Sequence, residues 1–301
     1  MQLISETKLD YSTYDKKPIN SPFRWAGGKF YARKLINAYI PEHDFYLEPF
    51  AGGGSIFFYK EKKEKFLNDL DKDLINCYKT IQNNIFDLID FLKDEIATKE
   101  RHKYYRNNFK PKNDLERAAK YYYLNRTSYS GIMKLENCYW GYGEKYSMRP
   151  ENWPRQLIKN HIKLQNCKLL SLDFEEVFRL IPNNRNIFVF IDPPYFNADQ
   201  NKFYSCSFST NDHYRLAESL KKYQKKIKFL LTYDDSEEIR ELYGWTKKIE
   251  KKEWNYTISR TDDQANKKKL ADGFKSSRDK GKEIFICNYD LPTEPKQLNF
   301  L

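Results

Sequence analysis

Short apolar runs bounded by turn residues recur along the chain and predict the strands of one sheet. They occupy residues 45–47, 65–68, 168–172, 187–191, 227–232 and 283–287. Helical periodicity follows the first two runs: one helix begins at Ser55, which is suited to cap it, and a second follows Asp71. Alternation of strands with helices is typical of an α/β fold built on a parallel sheet.

The pattern becomes helical and aromatic over residues 85–166, where a loop rich in glycine and proline spans residues 127–154. We therefore predict two domains. The α/β domain consists of residues 1–84 and 167–301, and residues 85–166 form a mostly helical insert between its two parts. The polar, lysine-rich residues 247–282 are expected to be loop over much of their length.

The motif Asp192-Pro193-Pro194-Tyr195 directly follows the apolar run 187–191. Proline has no backbone N–H and cannot continue a ladder, so the strand must end here. Ligands of open α/β sheets bind at the edge where such strands end. The motif presents a carboxylate, backbone carbonyls and a phenol ring at that edge, which are hydrogen-bond acceptors beside a stacking surface. For the motif in isolation, an ordinary strand followed by a proline turn remains open.

A glycine-rich turn, Gly52-Gly53-Gly54, separates a predicted strand from a predicted helix and permits close approach of a small molecule to the backbone. Asp69 ends the next strand, where a carboxylate commonly accepts hydrogen bonds from both ribose hydroxyls of a nucleoside cofactor. Together they indicate an adenosine-type cofactor, with a helix N-cap as the alternative role of Asp69. Trp25 and Lys29 lie beside Gly27-Gly28 in a loop that either folds over a ligand or forms an ordinary N-terminal turn.

The chain has a formal net charge of +11 and mixes 24 tyrosines and 21 phenylalanines with its basic residues. Such a surface suits contacts to phosphates and stacking on exposed bases, although most of the aromatic side chains are expected in the core. Five cysteines without a CxxC pair suggest neither a disulfide framework nor a metal site. No run approaches the roughly 18 apolar residues of a membrane span and the N-terminus lacks a leader pattern, so a cytoplasmic protein without membrane contact is expected.

Six segments of the chain occur in the order found in one enzyme family. They are Phe23-Arg24-Trp25-Ala26-Gly27-Gly28-Lys29, Tyr46-Leu47-Glu48-Pro49-Phe50-Ala51-Gly52-Gly53-Gly54-Ser55, Asn68-Asp69-Leu70-Asp71-Lys72-Asp73-Leu74-Ile75, Leu124-Asn125-Arg126, Asp173-Phe174 and Asp192-Pro193-Pro194-Tyr195. On these segments, the chain from Pro22 to Tyr289 resembles the Dam-like, alpha-type N6-adenine DNA methyltransferases. The resemblance implies a Rossmann-like S-adenosylmethionine-dependent methyltransferase sheet, with the helical insert as its target-recognition domain.

The resemblance also implies roles for individual residues. Asp69 would hold the cofactor ribose, and Asp173 with Phe174 would bind and pack the cofactor adenine. The other implied cofactor-binding residues are Trp25, Lys29, Glu48, Phe50, Gly52 and Gly54. The implied catalytic residues, of which the first and last face the target base, are Asp192, Pro193, Pro194 and Tyr195.

The chemistry of adenine methylation also suits the Asp192 motif. The lone pair of the adenine amino group is delocalised into the ring, which makes it a poor nucleophile. If the Asp192 carboxylate and the Pro193 carbonyl accept hydrogen bonds from its two hydrogens, the lone pair is localised toward the methyl group for a direct in-line displacement. Because the amino group is paired inside a duplex, the base must be flipped out, and Tyr195 is the ring on which it would stack.

The recognition insert keeps the family pattern only in part. Ser130 and Lys134 stand where GATC-specific relatives usually have asparagine and arginine. Lysine reads guanine less well than arginine does, which argues against GATC as the target. Tyr129 either wedges into the base stack or packs against the tyrosines at 121–123.

Two basic elements are further candidates for contact with DNA. Arg126 contacts a phosphate or pairs with an acid. Arg260 lies in the lysine-rich segment 257–282, which is either a DNA-contacting loop or a solvated run of charge.

We therefore predict a site-specific methyltransferase that transfers methyl from S-adenosylmethionine to N6 of a flipped-out adenine in double-stranded DNA. It would act as a monomer, and its pairing with a restriction endonuclease stays open. One alternative is methylation of another amino nitrogen, cytosine N4 or a protein glutamine, although those relatives more often carry Ser or Asn where Asp192 stands. The other is a DNA-binding regulator without turnover, against which the intact Asp69 and Tyr195 argue.

Overall fold

The computed structural model describes residues 17–60, 64–145, 147–197, 206, 208–255 and 280–291. Its strands are β1 Phe45–Glu48, β2 Glu64–Asn68, β3 Cys167–Leu170, β4 Ile187–Ile191, β5 Lys228–Asp234, β6 Lys248–Asn255 and β7 Lys280–Cys287. They form one sheet in the order β3-β2-β1-β4-β5-β7-β6. Strands β3, β2, β1, β4 and β5 run parallel, whereas β7 is antiparallel to both of its neighbours. This topology confirms the predicted α/β, Rossmann-like sheet.

Helices connect the parallel strands. Those in the described residues are α1 Arg33–Tyr39, α2 Ser55–Tyr59, α3 Lys72–Asn83, α4 Ile85–Leu92, α5 Lys99–Asn107, α6 Asp114–Thr127, α7 Trp153–Leu164, α8 Phe174–Arg179, α9 Thr210–Tyr223 and α10 Glu237–Leu242. None of these ten combines the length with the apolar content needed to cross a bilayer.

Alternate residues of the central strands pack into two separate apolar layers. Tyr46 and Phe188 belong to a cluster with the helices α3 to α7, and Phe45 and Val189 belong to a second cluster with α8, α9 and α10. This division follows from the two-residue period of a strand, which turns successive side chains to opposite faces. The sheet is therefore buried on both sides, as a parallel sheet requires.

The predicted helical insert packs directly on the sheet domain. Trp153 at the start of α7 is fully buried and makes edge contacts with the rings of Tyr122 and Tyr123 on α6. These side chains belong to the same apolar cluster as Tyr78 on α3. The boundaries at residues 85 and 166 stay a prediction, because one continuous core joins the helices on either side.

Strand β6 occupies the start of the segment 247–282, which is predicted to be loop over much of its length, because its charged side chains suit the edge of a sheet and its backbone pairs with β7. Residues 256–279 of that segment lie outside the described residues, so the loop stays a prediction. One local prediction is wrong. Ser55 does not cap α2, since the N-cap is Gly54 in a left-handed conformation with φ of 64°. Strand β3 also begins and ends earlier than the apolar run at 168–172.

Candidate active site

A cavity of about 350 Å³ opens at the carboxyl ends of β1, β2 and β4. The strand order reverses there, because β2 and β3 lie on one side of β1 and β4 lies on the other. Such reversals are where open α/β sheets bind ligands. Every residue predicted to bind cofactor or to catalyse lines this cavity. They are Trp25, Lys29, Glu48, Phe50, Gly52, Gly54, Asp69, Asp173, Phe174, Asp192, Pro193, Pro194 and Tyr195.

The glycine turn packs tightly against the indole of Trp25. The backbone is left-handed at Gly52 and Gly54, with φ of 47° and 64°. A Cβ on Gly52 would lie 2.8 Å from the indole, and one on Gly54 would lie 3.0 Å from Tyr78 Oη. Tyr78 Oη also donates a hydrogen bond to Gly52 O at 2.9 Å. The protein itself therefore requires glycine at these positions.

Asp69 lies at the end of β2 and faces the glycine turn. Its Oδ2 accepts from Gly52 N at 2.8 Å and its Oδ1 accepts from Asp71 N at 3.0 Å. Burial raises the pKa of Asp69 to about 6. Asp71 is the residue that caps α3, because its Oδ1 accepts from the backbone N–H groups of Asp73 and Leu74. The N-cap alternative for Asp69 is therefore wrong.

Donors to Asp192 converge on one oxygen. Lys29 Nζ and Thr232 Oγ1 each lie 2.7 Å from Oδ1, and Tyr195 Oη lies 3.4 Å from it. Lys29 is buried, and its Nζ also lies 3.7 Å from Glu283 Oε2. Burial opposes the charge of Lys29, but the two carboxylates outweigh it and raise the pKa. All three contacts with Asp192 are therefore made to the same carboxylate oxygen.

Glu48 ends β1 with a side chain that is only 2% exposed. Tyr46 Oη donates to Glu48 Oε1 at 2.6 Å. Burial raises the pKa of Glu48 to about 8, against the opposing effect of the Tyr46 hydrogen bond. The carboxyl is therefore mostly protonated at neutral pH, and a cation beside it would favour its ionised form.

Three aromatic rings form an apolar part of the cavity. The ring centroid of Phe50 lies 5.6 Å from that of Phe174 and 5.5 Å from that of Phe208. Asp173 precedes this apolar part and caps α8, because its Oδ1 accepts from Glu175 N at 2.9 Å. Rings beside a fixed carboxylate suit a flat heterocycle that carries an amino group.

Arg126 lies in the last turn of α6 and is 7% exposed. Burial lowers its pKa, and the groups that favour its charge are the phenols of Tyr122 and Tyr142. Within the described ranges its Nε has no hydrogen-bond partner. No carboxylate of the described ranges therefore pairs with Arg126, as the acid-pair alternative would require.

The loop after α6 is fixed against the segment that leads into Trp25. Asn125 Oδ1 accepts from Arg24 N, and its Nδ2 donates to Arg24 O, both at 2.9 Å. A Cβ on Gly131, where φ is 73°, would lie 2.3 Å from that same carbonyl oxygen. The candidate recognition loop is thus held next to the wall of the cavity.

The predicted DNA-reading residues of this loop are accessible to different degrees. Tyr129 is 36% exposed. The rings at 121–123 contact Phe23, Tyr105 and Trp153, and both alternatives for Tyr129 stay predictions. Ser130 and Lys134 are half-buried, and Lys134 Nζ lies 3.9 Å from Glu136 Oε2. Arg260, the last predicted DNA contact, lies outside the described residues.

The chain that carries this site matches a known protein family. Residues 25–258 match the family described as D12 class N6 adenine-specific DNA methyltransferase. The chain belongs to this family. The matched range includes the glycine turn, the loop after α6 and the Asp192 motif, so the family and the enzyme class predicted from the sequence are confirmed.

Curated relatives of this methyltransferase carry matching names. It is 32% identical to the Type II methyltransferase M.MjaIII of Methanocaldococcus jannaschii over 68% of this chain and 81% of the relative. It is 31% identical to the Type II methyltransferase M.CviBI of Paramecium bursaria Chlorella virus NC1A, over 75% and 86%. It is 26% identical to the DNA adenine methylase of Haemophilus influenzae, over 75% and 84%. Membership of the family implies DNA as the substrate and, in general, use of S-adenosylmethionine.

Several residues around the site of the methyltransferase were not predicted. Thr232 and Glu283 contact the Asp192–Lys29 pair from β5 and β7. A polar residue inside the apolar run 227–232 is the signal that could have identified Thr232. Phe208 lines the cavity just before the capping box of α9, and that box is its signal in the sequence.

Proposed function

We propose that this methyltransferase binds S-adenosylmethionine in the cavity and methylates N6 of an adenine flipped out of a specific site in double-stranded DNA. The observation that carries the proposal is the hydrogen bonding of Asp192. Lys29 and Thr232 both contact its Oδ1, and Asp192 lines the cavity together with Pro193 and Pro194. This set of acceptors suits an amino group that donates two hydrogen bonds.

The residues around the cavity fit the cofactor. Asp69 would accept hydrogen bonds from the ribose hydroxyls, and Phe50 and Phe174 would pack the adenine, with Asp173 accepting from its amino group. Glu48 is a buried carboxyl whose pKa is raised mainly by burial, and the cationic part of the cofactor would favour its ionised form. When bound, the cofactor supplies an electrophilic methyl group on a sulfonium.

The cavity also has a suitable size. Its volume of about 350 Å³ falls in the range of ligand sites, roughly 300–1,000 Å³. The cavity must hold the cofactor and also expose its methyl group to a base that enters from the DNA. A cavity at the open edge of the sheet meets both requirements.

The chain orients the acceptor amino group through Asp192 and Tyr195. Asp192 Oδ2 and the Pro193 carbonyl would each accept a hydrogen bond from the amino group. These two bonds localise the nitrogen lone pair on the side facing the methyl group. Tyr195 would stack on the flipped base, and Lys29 Nζ, 4.9 Å from the centroid of its ring, holds that ring in place. Each group acts by position, so the reaction needs no covalent intermediate with the enzyme.

Charge around Asp192 favours the transition state. Lys29 supplies one positive charge, whereas Asp192 and Glu283 supply two negative charges close to it. The excess negative charge lies where the amino nitrogen becomes positive as it accepts the methyl group. Glu283 would therefore keep Lys29 from cancelling the charge of Asp192.

On the DNA side, we propose that the loop after α6 reads the target. Tyr129 would enter the base stack, and Lys134 and Ser130 would contact base edges or backbone. Arg126, buried without a carboxylate in the described ranges, suits a phosphate that would supply the missing charge. The changes at Ser130 and Lys134 argue for a target other than GATC.

The partners follow from this scheme. One chain supplies the cofactor cavity and the recognition loop, so we propose that the enzyme acts as a monomer on duplex DNA. Relatives include both Type II methyltransferases and DNA adenine methylases. A challenge of methylated DNA with restriction endonucleases of the same target site would show whether the modification protects DNA.

The reaction is tested with purified protein. Unmethylated duplex DNA is incubated with S-adenosylmethionine labelled in its methyl group, and the digested nucleosides are separated by mass spectrometry. Label in N6-methyl-2′-deoxyadenosine is expected, and its amount should fall to background with Asp192→Ala. Label in N4-methyl-2′-deoxycytidine, or in protein alone, would replace the proposal with one of its alternatives.

A binding measurement separates catalysis from folding. We expect Asp192→Ala to bind S-adenosylhomocysteine with nearly the affinity of the parent protein, because Asp192 contacts the substrate end of the cavity. Binding of DNA by the parent protein, without cofactor binding or turnover, would establish the regulator alternative.

A further inference from the structure

Arg215, on the first turns of α9, connects three carboxylates around the cavity. Its Nη2 donates to Asp173 Oδ1 at 2.9 Å and lies 3.2 Å from Glu175 Oε2. Its Nη1 donates to Asp212 Oδ1 at 2.7 Å. The guanidinium carbon also lies 4.9 Å from the centroid of the Phe174 ring. One side chain thus contacts both residues predicted to bind the cofactor adenine.

Folding stability does not account for this cluster. The side chains of Arg215, Asp173 and Glu175 are 32%, 34% and 33% exposed. Ion pairs at such exposure contribute little to the free energy of unfolding, because solvent screens them. Asp173 caps α8 through the Glu175 N–H, without help from Arg215. What the guanidinium adds is a fixed orientation.

The hydrogen bonds show which orientation is fixed. Arg215 Nη2 and Glu175 N both donate to Oδ1 of Asp173. The capping box of α8 adds the backbone N–H of Glu176 as a further donor to this carboxylate. Arg215 supplies a charged donor, and a charge-assisted hydrogen bond restrains the rotation of the carboxylate more strongly than a neutral one does. The planar guanidinium next to Phe174 restrains the ring in the same way, which a lysine ammonium would not do.

Helix α9 also supplies part of the cavity wall. Phe208 and Asp212 line the cavity at the start of this helix, and the Phe208 ring packs against those of both Phe50 and Phe174. Arg215 therefore ties the helix that covers the aromatic part of the cavity to the carboxylate on α8.

We infer that Arg215 is a positioning residue that makes the cofactor pocket selective for an adenine ring. It orients Asp173 to accept a hydrogen bond from an exocyclic amino group and holds Phe174 for stacking. The inference rests on the proposed function, because it takes S-adenosylmethionine as the ligand. Removal of Arg215 should weaken the preference for adenine more than it weakens binding as a whole.

Two ligands that differ at the amino group test this inference. S-adenosylhomocysteine carries the amino group, whereas S-inosylhomocysteine carries a carbonyl in its place. A carboxylate that reads the amino group rejects the carbonyl ligand, so the parent protein should prefer the adenosyl ligand by about tenfold or more in calorimetric titration. We expect Arg215→Gln to reduce this preference by about threefold or more, because Asp173 then keeps only the backbone hydrogen bonds of its cap and is held less firmly.

A second substitution keeps the test valid if the first variant folds poorly. Arg215→Lys keeps the charge but not the planar fork, so it should bind S-adenosylhomocysteine better than Arg215→Gln and still show a reduced preference. Circular dichroism and melting temperature report on folding for each variant. The double variant Asp173→Asn/Arg215→Gln should show the same preference as Asp173→Asn alone, because Arg215 acts through that carboxylate.

The matched control is Arg240→Gln. Arg240 pairs with Asp235 at an exposure of 38% and does not line the cavity. Its substitution should leave the preference between the two ligands unchanged.

The outcomes separate the inference from the proposed function. If the parent protein prefers the adenosyl ligand and both Arg215 variants keep the full preference, the inference is overturned while the function stands. Equal binding of the two ligands by the parent protein also overturns it. Failure of the parent protein to bind S-adenosylhomocysteine refutes the proposed function and the inference with it.

Discussion

The raised pKa of Glu48 predicts that cofactor binding expels a proton. With a pKa of about 8, the carboxyl is ionised in roughly one molecule in ten at pH 7. S-adenosylmethionine carries a sulfonium and an ammonium group, and a cation beside Glu48 favours the carboxylate. Binding at pH 7 should therefore release close to one proton from this side chain. The substitution Glu48→Gln removes this proton and keeps the shape of the side chain.

The size of the effect follows from the fraction that is ionised. That fraction rises from about one-tenth at pH 7 to about nine-tenths at pH 9, so the binding energy spent on ionisation falls by ~1.4 kcal/mol. The ratio of the Kd of Glu48→Gln to that of the parent protein should rise about tenfold between these two pH values. Use of a ratio removes the titration of the cofactor's own amino group, which both proteins share.

Titration calorimetry in two buffers of different ionisation enthalpy measures the protons released. At pH 7 the parent protein should release nearly one proton more than Glu48→Gln. Parallel pH profiles of Kd, with equal proton release, would refute the reasoning that Glu48 ionises beside the cofactor.

The same carboxyl predicts a change in stability without ligand. A carboxyl whose pKa is higher in the folded state than in the unfolded state stabilises the fold at low pH. That stabilisation is lost as the pH rises from about 4.5 through about 8. Above pH 8, Glu48→Gln should therefore melt at a higher temperature than the parent protein. A lower melting temperature at every pH would contradict the assigned pKa.

Further variants test other parts of the site and the core. Asp69→Asn should weaken cofactor binding at pH 7. In the parent protein, cofactor affinity should fall below pH 6, because the pKa of Asp69 is about 6 and protonation makes it a poorer acceptor. Asp69→Asn should not show this fall. Gly131→Ala should lower both the melting temperature and DNA affinity in gel-shift assays, because its Cβ would lie 2.3 Å from Arg24 O. Trp153→Ala should reduce the free energy of unfolding in urea by about 3–5 kcal/mol, because Trp153 is fully buried.

Matched controls and contrary outcomes accompany these variants. Gly244→Ala is the control for Gly131→Ala, since its Cβ would meet nothing closer than 3.4 Å. Tyr139→Ala is the control for Trp153→Ala, since Tyr139 is 58% exposed. Undiminished cofactor affinity in Asp69→Asn would remove Asp69 from the ribose site. If a control variant loses as much stability as its partner, the Cβ contact at Gly131 or the burial of Trp153 does not cause the loss.

The sequence predicts the central fold well because apolar runs and turn residues are local signals. The runs at 187–191 and 45–47 become β4 and β1, and the glycine turn follows β1 as expected. Strand β6 has no such signal, since its pairing with β7 and not its own apolar content determines it. The mistaken cap at Ser55 has a similar cause, because the contacts of Gly54 with Tyr78 and Phe58 favour glycine at the N-cap.

The site was predictable where its residues form contiguous motifs. The motif beginning at Asp192 and the pair at Asp173 line the cavity as expected. Thr232, Glu283 and Arg215 reach these carboxylates from other strands and helices, so only the folded chain brings the partners together. Burial shifts a pKa only once the surroundings exist, which is why the state of Glu48 could not be derived from its motif.

The most direct test of the account is modified-base sequencing of DNA from cells that lack other methyltransferases. Cells that express this chain are compared with cells that express Asp192→Ala at the same level. We expect N6-methyladenine at one short motif other than GATC, present only with the parent chain. Absence of methylated adenine in both, while the purified protein binds S-adenosylhomocysteine, would contradict adenine as the acceptor.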